Sequence, residues 1–232
     1  MSAAERALTV EVVSDVVCPW CYLGKRRLAL ALAEADGGPI AVRWRPFQLD
    51  PTIPAGGMDR RAYLKMKFGD DKRLDEVHAR LTALGAEVGI AYRFDAISRA
   101  PNTLDAHRLI RWAFVGGAQD AVVDRLFRLY FEEGRDIGER ALLVEVAREC
   151  GMDGAAAEQG LADGRDVEAV RAEIAEAQSI GVTGVPFFIF ASRVGLAGAQ
   201  SVDVLAKAIA SARASLAGSS RNVRLTSVLV GD

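Results

Sequence analysis

Strand-forming sequence lies near the two ends of this chain and helix-forming sequence fills the stretch between, and that arrangement constrains the fold more than any single motif does. Residues 8–17 (LTVEVVSDVV) are rich in β-branched side chains and read as a strand. Leucines and alanines then run down to DGGP, a helix ended by Gly37, Gly38 and Pro39. IAVRWRPFQL (40–49) alternates as a second strand, with DPTIPAGG as the loop behind it. From about Asp59 to Ala177 apolar residues recur three and four apart in segments closed by glycine, the pattern of successive helices. GVTGVPFFIF (181–190) and SRVGLAGAQ read as two short strands, and SVDVLAKAIASARASLAG as a last amphipathic helix capped by Ser201. The order is β–α–β, a helical block, then β–β–α, so the two ends must pair to complete one sheet. This predicts an α/β fold in which residues 1–58 and 178–216 form a discontinuous domain around a helical insertion at 59–177. Residues 217–232 read as a tail or an added edge strand.

Composition narrows the function. Of 232 residues, 50% are apolar and 26% charged, enough for a proper core, and the net charge of −2 comes without a basic stripe. Neither nucleic acid nor an anionic membrane is expected as a partner. No apolar run approaches the roughly 18 residues that span a bilayer. The N-terminus, MSAAERALTVEVVSD, places Glu5 and Arg6 where a signal peptide is hydrophobic, so a cytoplasmic location is expected. In that compartment three cysteines do not make a disulfide scaffold.

That leaves Cys18 and Cys21, in SDVVCPWCYLG, to be explained at the junction of the first strand and its helix. A structural zinc needs four ligands, and Cys150, His78 and His107 lack ligand spacing, so no metal site is expected. A structural disulfide across C-x-x-C closes a tiny loop and constrains the unfolded chain least. A redox pair has a mechanism. Cys18 falls at the first position of a helix, where unpaired backbone N–H groups and the helix dipole favour the thiolate over the thiol. Pro19 suits the first turn because it lacks an N–H and has φ preset. Cys21, one turn on, is within reach of a mixed disulfide on Cys18. C-x-x-C beside a β–α–β pattern is a thioredoxin-like signal. Val185-Pro186, before the third strand, is the one kind of peptide bond where the cis form costs little; it reads as a cis bond of the kind that faces the C-x-x-C in thioredoxin-like folds, or as a trans proline at a strand start.

DVVCPWCYLGKRRL, NTLDAHRL, LYFEEGRDI, GVTGVPFF and LAGAQ together resemble the DsbA superfamily, specifically its cytoplasmic FrnE-like branch. The resemblance runs from about Leu8 to Ala214, with the motifs in the family's order. It implies a thioredoxin fold with a large all-helical insertion and a thiol–disulfide oxidoreductase, with Cys18 as nucleophile, Cys21 as resolving thiol and Pro186 shaping the docking site. It needs no cofactor, with a low-molecular-weight thiol as a conceivable co-substrate. The implied partner is a thiol or disulfide, protein or small molecule, and a homodimer is compatible. Related 2-hydroxychromene-2-carboxylate isomerases and kappa-class glutathione transferases typically carry serine where this chain has Cys18. They tend to have Asp and a polar residue where this chain reads Ala199-Gln200, a departure that argues against a glutathione site. The alternative reading is a thiol-cofactor-dependent isomerase or transferase acting on a small aromatic or polyketide substrate.

The candidate binding residues are Pro19, Trp20, Val185, Pro186, His107 and Gln200. Trp20, held between the cysteines, is expected to border the cleft. His107, in the family-like AHRL stretch, is either a satisfied core histidine or a group facing the site from the insertion. Phe47 and Gln48 are further candidates for the cleft. Cys150 reads as a small buried hydrophobe at a helix end, His78 as a surface or half-buried helix residue, and GDDKRLDEVHAR as a solvated helix face.

Overall fold

The computed structural model describes residues 8–69 and 71–217. β1 (Leu8–Ser14) lies inside a four-stranded sheet of order β2-β1-β5-β6. It pairs in parallel with β2 (Ile40–Pro46) and antiparallel with β5 (Phe187–Phe190), which pairs antiparallel with β6 (Val194–Ala197). Val12 thus stands opposite Trp44 on one side and Phe188 on the other. Parallel neighbours need a crossover, and α1 (Pro19–Ala33) supplies it. The two ends of the chain therefore build one sheet, as the periodicity predicts.

Two strands are shorter than their sequence patterns. β1 stops at Ser14 because the chain turns at once, the Asp15 carbonyl accepting from the Cys18 N–H at 3.0 Å. β5 begins only at Phe187, and residues 181–186 form a loop.

Alternation along β1 covers the sheet on both faces. Val10 and Val12 join the main core with Leu23, Leu28, Phe188, Phe190, Leu205 and Ile209. Leu205 and Ile209 come from α9 (Val202–Ala217), which packs beside α1. Val13 and Ile189 face the other way, into a small cluster with Phe47, Ala177 and Val182.

Between β2 and β5 come β3 (Met58–Asp59), α2 (Arg60–Phe68), α3 (Asp71–Ala86), β4 (Arg99–Ala100), α4 (Leu104–Ala113), α5 (Gln119–Phe131), α6 (Arg140–Glu149), α7 (Gly154–Asp163) and α8 (Val167–Ser179). The helical reading of this stretch omits β3 and β4, a two-residue antiparallel pairing of Met58 with Ala100 and Asp59 with Arg99. Two residues are too short to leave a period in the sequence. The helices share one core with the sheet side, through Leu109, Leu126, Phe127, Phe131 and Leu143. Lys25 of α1, itself buried, binds Asp120 at 3.0 Å and Asp124 at 3.2 Å on α5, tying the two parts together. Of the stretch 217–232, only Ala217, the end of α9, falls within the described residues.

Candidate active site

Cys18 is the N-cap of α1, with φ −90° and ψ 113°, and Pro19 is the first helical residue. The sequence places Cys18 one position further in; as the N-cap it makes no side-chain hydrogen bond to the first-turn N–H groups. The Cys18 carbonyl accepts from the N–H groups of Cys21 (3.0 Å) and Tyr22 (3.3 Å), which closes the first turn. Both cysteines are free thiols and both are buried, Cys18 at 3% exposure and Cys21 at 1%. The Cys18 thiol points at the Val185 carbonyl, 3.6 Å away, and the Val185–Pro186 peptide is cis. The Pro186 carbonyl accepts from Gly198 N–H at 2.8 Å, pinning this loop to the turn after β6.

The two thiols differ electrostatically. Burial pushes the Cys21 thiol well up, and the hydrogen bond and charge of neighbouring Cys18 push the same way. The Ser14 hydroxyl and the Asp15 backbone N–H pull it down, less strongly. Ser14 Oγ is buried and has no hydrogen-bond partner among the described residues. Tyr92, whose hydroxyl donates to the Pro19 carbonyl at 2.6 Å, is also pushed up, first by burial and then by Cys18. The arrangement keeps the proton on Cys21.

Behind this turn lies a pair in which only one partner is evident from sequence. His107 Nε2 is 3.3 Å from Asp15 Oδ1, and both side chains are buried. The other carboxylate oxygen accepts from Leu49 N–H at 2.8 Å. His107 therefore faces Asp15, not the sulfurs. The signal for Asp15 is an acid inside an otherwise apolar run ending in the cysteines, SDVVC.

A cavity of about 550 Å³ opens beside Cys18. Cys18, Pro19, Trp20, Gly184 and Val185 form one wall, and α2 and α3 form the roof. Of the residues picked from sequence, Cys18, Pro19, Trp20 and Val185 line it; Cys21, Pro186, His107 and Gln200 do not. Pro186 sits just behind Val185, against Gly24. Gln200 closes its own turn, its amide donating to the Ala197 carbonyl at 2.6 Å. Phe47 and Gln48 also stay out of the cavity: Phe47 is in the small cluster under the sheet, and Gln48 bonds Asn102 at 3.2 Å.

The run GDDKRLDEVHAR is not simply a solvated face, since Arg73, Leu74, Val77 and His78 line the cavity. His78 stacks on Phe94 with ring centres 4.0 Å apart, and burial, with Arg60 nearby, pushes its pKa down. Arg80 lies over the Trp20 ring at 5.7 Å. Arg60 donates to the Tyr130 hydroxyl at 2.9 Å, and burial pushes that phenol up to about 12 against the pull of Arg60. Cys150 is half-buried at the end of α6 rather than fully in the core. Among the described residues no group of three or more His, Cys, Asp or Glu could hold a metal ion, and no helix is long and apolar enough to cross a membrane.

The DSBA-like thioredoxin domain family matches residues 9–210. The chain belongs to this family. A solved structure described as a probable DsbA oxidoreductase, from Streptomyces coelicolor, is 32% identical, with 94% of each chain covered and a TM-score of 0.82. A 2-hydroxychromene-2-carboxylate isomerase is 20% identical, covering 88% of this chain and 95% of its own, with a TM-score of 0.67. The cytosolic disulfide reductase DsbM of Pseudomonas aeruginosa, also solved with GSH, is 22% identical, covering 90% and 96%, with a TM-score of 0.57. The last two likenesses show the fold alone. The DSBA-like chain has the thioredoxin-like fold with a helical insertion, and its general class is that of enzymes acting on thiols and disulfides.

Proposed function

We propose that this chain is a thiol–disulfide oxidoreductase whose C-P-W-C pair does the chemistry, Cys18 as nucleophile and Cys21 as resolving thiol, with Val185 and Pro186 forming the docking edge. The observation that carries this reading is the pairing of two free thiols at the start of α1 with the Val185 carbonyl 3.6 Å from Cys18 Sγ, on the wall of a cavity. The Cys18 sulfur attacks one sulfur of a substrate disulfide, and the other leaves with the electron pair and takes up a proton. Cys21 then gives up its proton and attacks Cys18 Sγ. The second substrate thiol is released and a Cys18–Cys21 disulfide remains. The substrate gains two electrons and two protons, and the reverse sequence oxidises a dithiol. These steps need no bound cofactor, and a low-molecular-weight thiol is a suitable co-substrate for restoring the reduced pair. The cytosolic setting of the Pseudomonas reductase is compatible with a cytoplasmic role.

A second reading, a small-molecule isomerase or transferase in which Cys18 positions a thiol cofactor, draws support from the cavity and from the fold likeness to the isomerase. Cys21→Ser separates the two. In the oxidoreductase it traps covalent partners on Cys18, visible on a non-reducing gel and lost when Cys18→Ser is added. Because burial keeps the Cys21 thiol protonated, release from the wild-type mixed disulfide accelerates as pH rises through the neutral range. Normal turnover of a small substrate by Cys21→Ser, with nothing trapped, would favour the isomerase.

A further inference from the structure

We infer that the cleft selects low-molecular-weight disulfides and thiols carrying an anionic group on an apolar body, in preference to a polypeptide. The inference rests on the thiol–disulfide reading above and names its substrate class. Size comes first. About 550 Å³ lies within the range of roughly 300–1,000 Å³ typical of small-molecule sites. Cys18 lies under the α2–α3 roof with 3% of its surface exposed, so a partner must place its sulfur inside the cavity. A compact molecule does this without unfolding, whereas a polypeptide must first thread a loop beneath the roof.

Charge sets the rest. Arg60, Lys67 and Arg73 all line the cavity. Against them stand two carboxylates, and both are already engaged. Asp15 is held by His107 and Leu49 N–H. Asp50 accepts from the Thr52 N–H and hydroxyl and lies 4.0 Å from Lys67. Arg60 uses one N–H on Tyr130, and no described carboxylate lies within ion-pair distance of Arg60 or Arg73. Lys67 is shared with Asp50 and donates to the Tyr63 hydroxyl at 2.8 Å, so the cavity offers Arg60 and Arg73, with Lys67 beside them, at the roof of an apolar interior where Val17, Ile53, Leu64, Leu74 and Leu81 supply the surface. Not one residue of α2 is buried, so a ligand with an apolar body gives Leu64 and Phe68 a contact the protein itself does not provide. An anion on that body meets the roof cations, and the reacting sulfur sits at Cys18.

In a single turnover the reduced pair is itself the reductant: one disulfide RS–SR is split into two RS–H, and Cys18 and Cys21 become joined. The test uses the full chain in a Cys150→Ala background, so that only the pair reports. Reduced protein is mixed in stopped flow with dithiobis(nitrobenzoate), an anionic aromatic disulfide, and separately with neutral dithiodipyridine, each releasing a coloured thiol. The readout is the ratio of the two rate constants, anionic over neutral. Lys67→Gln combined with Arg73→Gln, both exposed on the roof of the cavity, should lower that ratio about five- to tenfold at low salt, the scale of one or two surface charge pairs. Added salt should lower the wild-type ratio in the same direction.

A ratio indifferent to both changes overturns the anion selection while the thiol–disulfide reading stands. Release of colour at the wild-type rate from Cys18→Ser overturns that reading instead. Faster electron transfer to insulin than to dithiosalicylate, an anionic aromatic disulfide whose leaving thiol is not activated, at equal concentration overturns the preference for small substrates.

Discussion

The two walls of the cleft are built to different standards. On the sheet side, Cys18 and Cys21 are buried, the first turn of α1 is closed by backbone bonds, Tyr92 holds the Pro19 carbonyl, and Gly24 lets Pro186 approach the helix. On the roof, α2 buries none of its residues and leaves Met66 and Phe68 at 66% and 51% exposure. In the proposed thiol–disulfide exchange the difference separates two tasks. A sulfur that must be attacked in line needs a fixed position, and small misplacements there are costly. Recognition of a substrate body tolerates a wall that adapts to its guest.

Three substitutions can break or sharpen this contrast. The largest effect is expected from His107→Ala, which leaves the buried Asp15 carboxylate with only the Leu49 N–H. Urea unfolding should show a loss of about 2–4 kcal/mol. Exchange should slow as well, because Asp15 anchors the turn that presents Cys18. A loss below half that range would mean the fixed wall is less dependent on its hidden pair than its burial implies. Gly24→Ala comes next. Its Cβ would meet Pro186 Cγ at 3.0 Å and Phe188 Cζ at 3.1 Å, and the crowding should cost about 1–3 kcal/mol. The loop carrying Val185 would be pushed from Cys18, so thiol–disulfide exchange should fall too; unchanged rates in a destabilised protein would show that this packing does not place the thiol. Phe68→Ser should be the mildest, within about 0.5 kcal/mol in thermal or denaturant unfolding. A loss of 2 kcal/mol there would show the roof to be as tightly built as the wall, and the contrast would collapse.

Much of the fixed wall is legible in the sequence, and much less of the roof. β-branched runs, a C-P-W-C pair and a Val-Pro before an apolar strand are local signals, and local physics is enough to read them. Cys18, Trp20 and Val185 accordingly fall together at the cleft. Asp15 and His107 are 92 positions apart, and their meeting depends on how α4 crosses the end of β1, which no periodicity encodes. In α3, Leu74 and Val77 occupy the apolar positions of an ordinary amphipathic helix. Pattern cannot distinguish a stripe that faces a core from one that faces a cavity, so Arg73 reads as part of a solvated face, while His78, read as surface or half-buried, is half-buried on the cavity. Gln200 misleads for the opposite reason: a polar residue at a family-specific position satisfies its own turn through Ala197.

The pairing of β1 with β5 also sets a timetable. Val185, whose carbonyl meets the Cys18 sulfur, is 167 positions downstream. At the usual pace of synthesis, about 5–20 residues per second, the cysteines leave the ribosome roughly ten to thirty seconds ahead of the segment that will enclose them. Cys150 is made within that interval too, as a third thiol free to collide with the pair. No part of the chain can complete the site early, since the antiparallel neighbour of β1 and the loop facing Cys18 belong to the same late segment. Whatever keeps the pair reduced on the nascent chain must come from the surroundings. A cell-free translation system would feel its redox poise in the yield of active protein before any substrate is added.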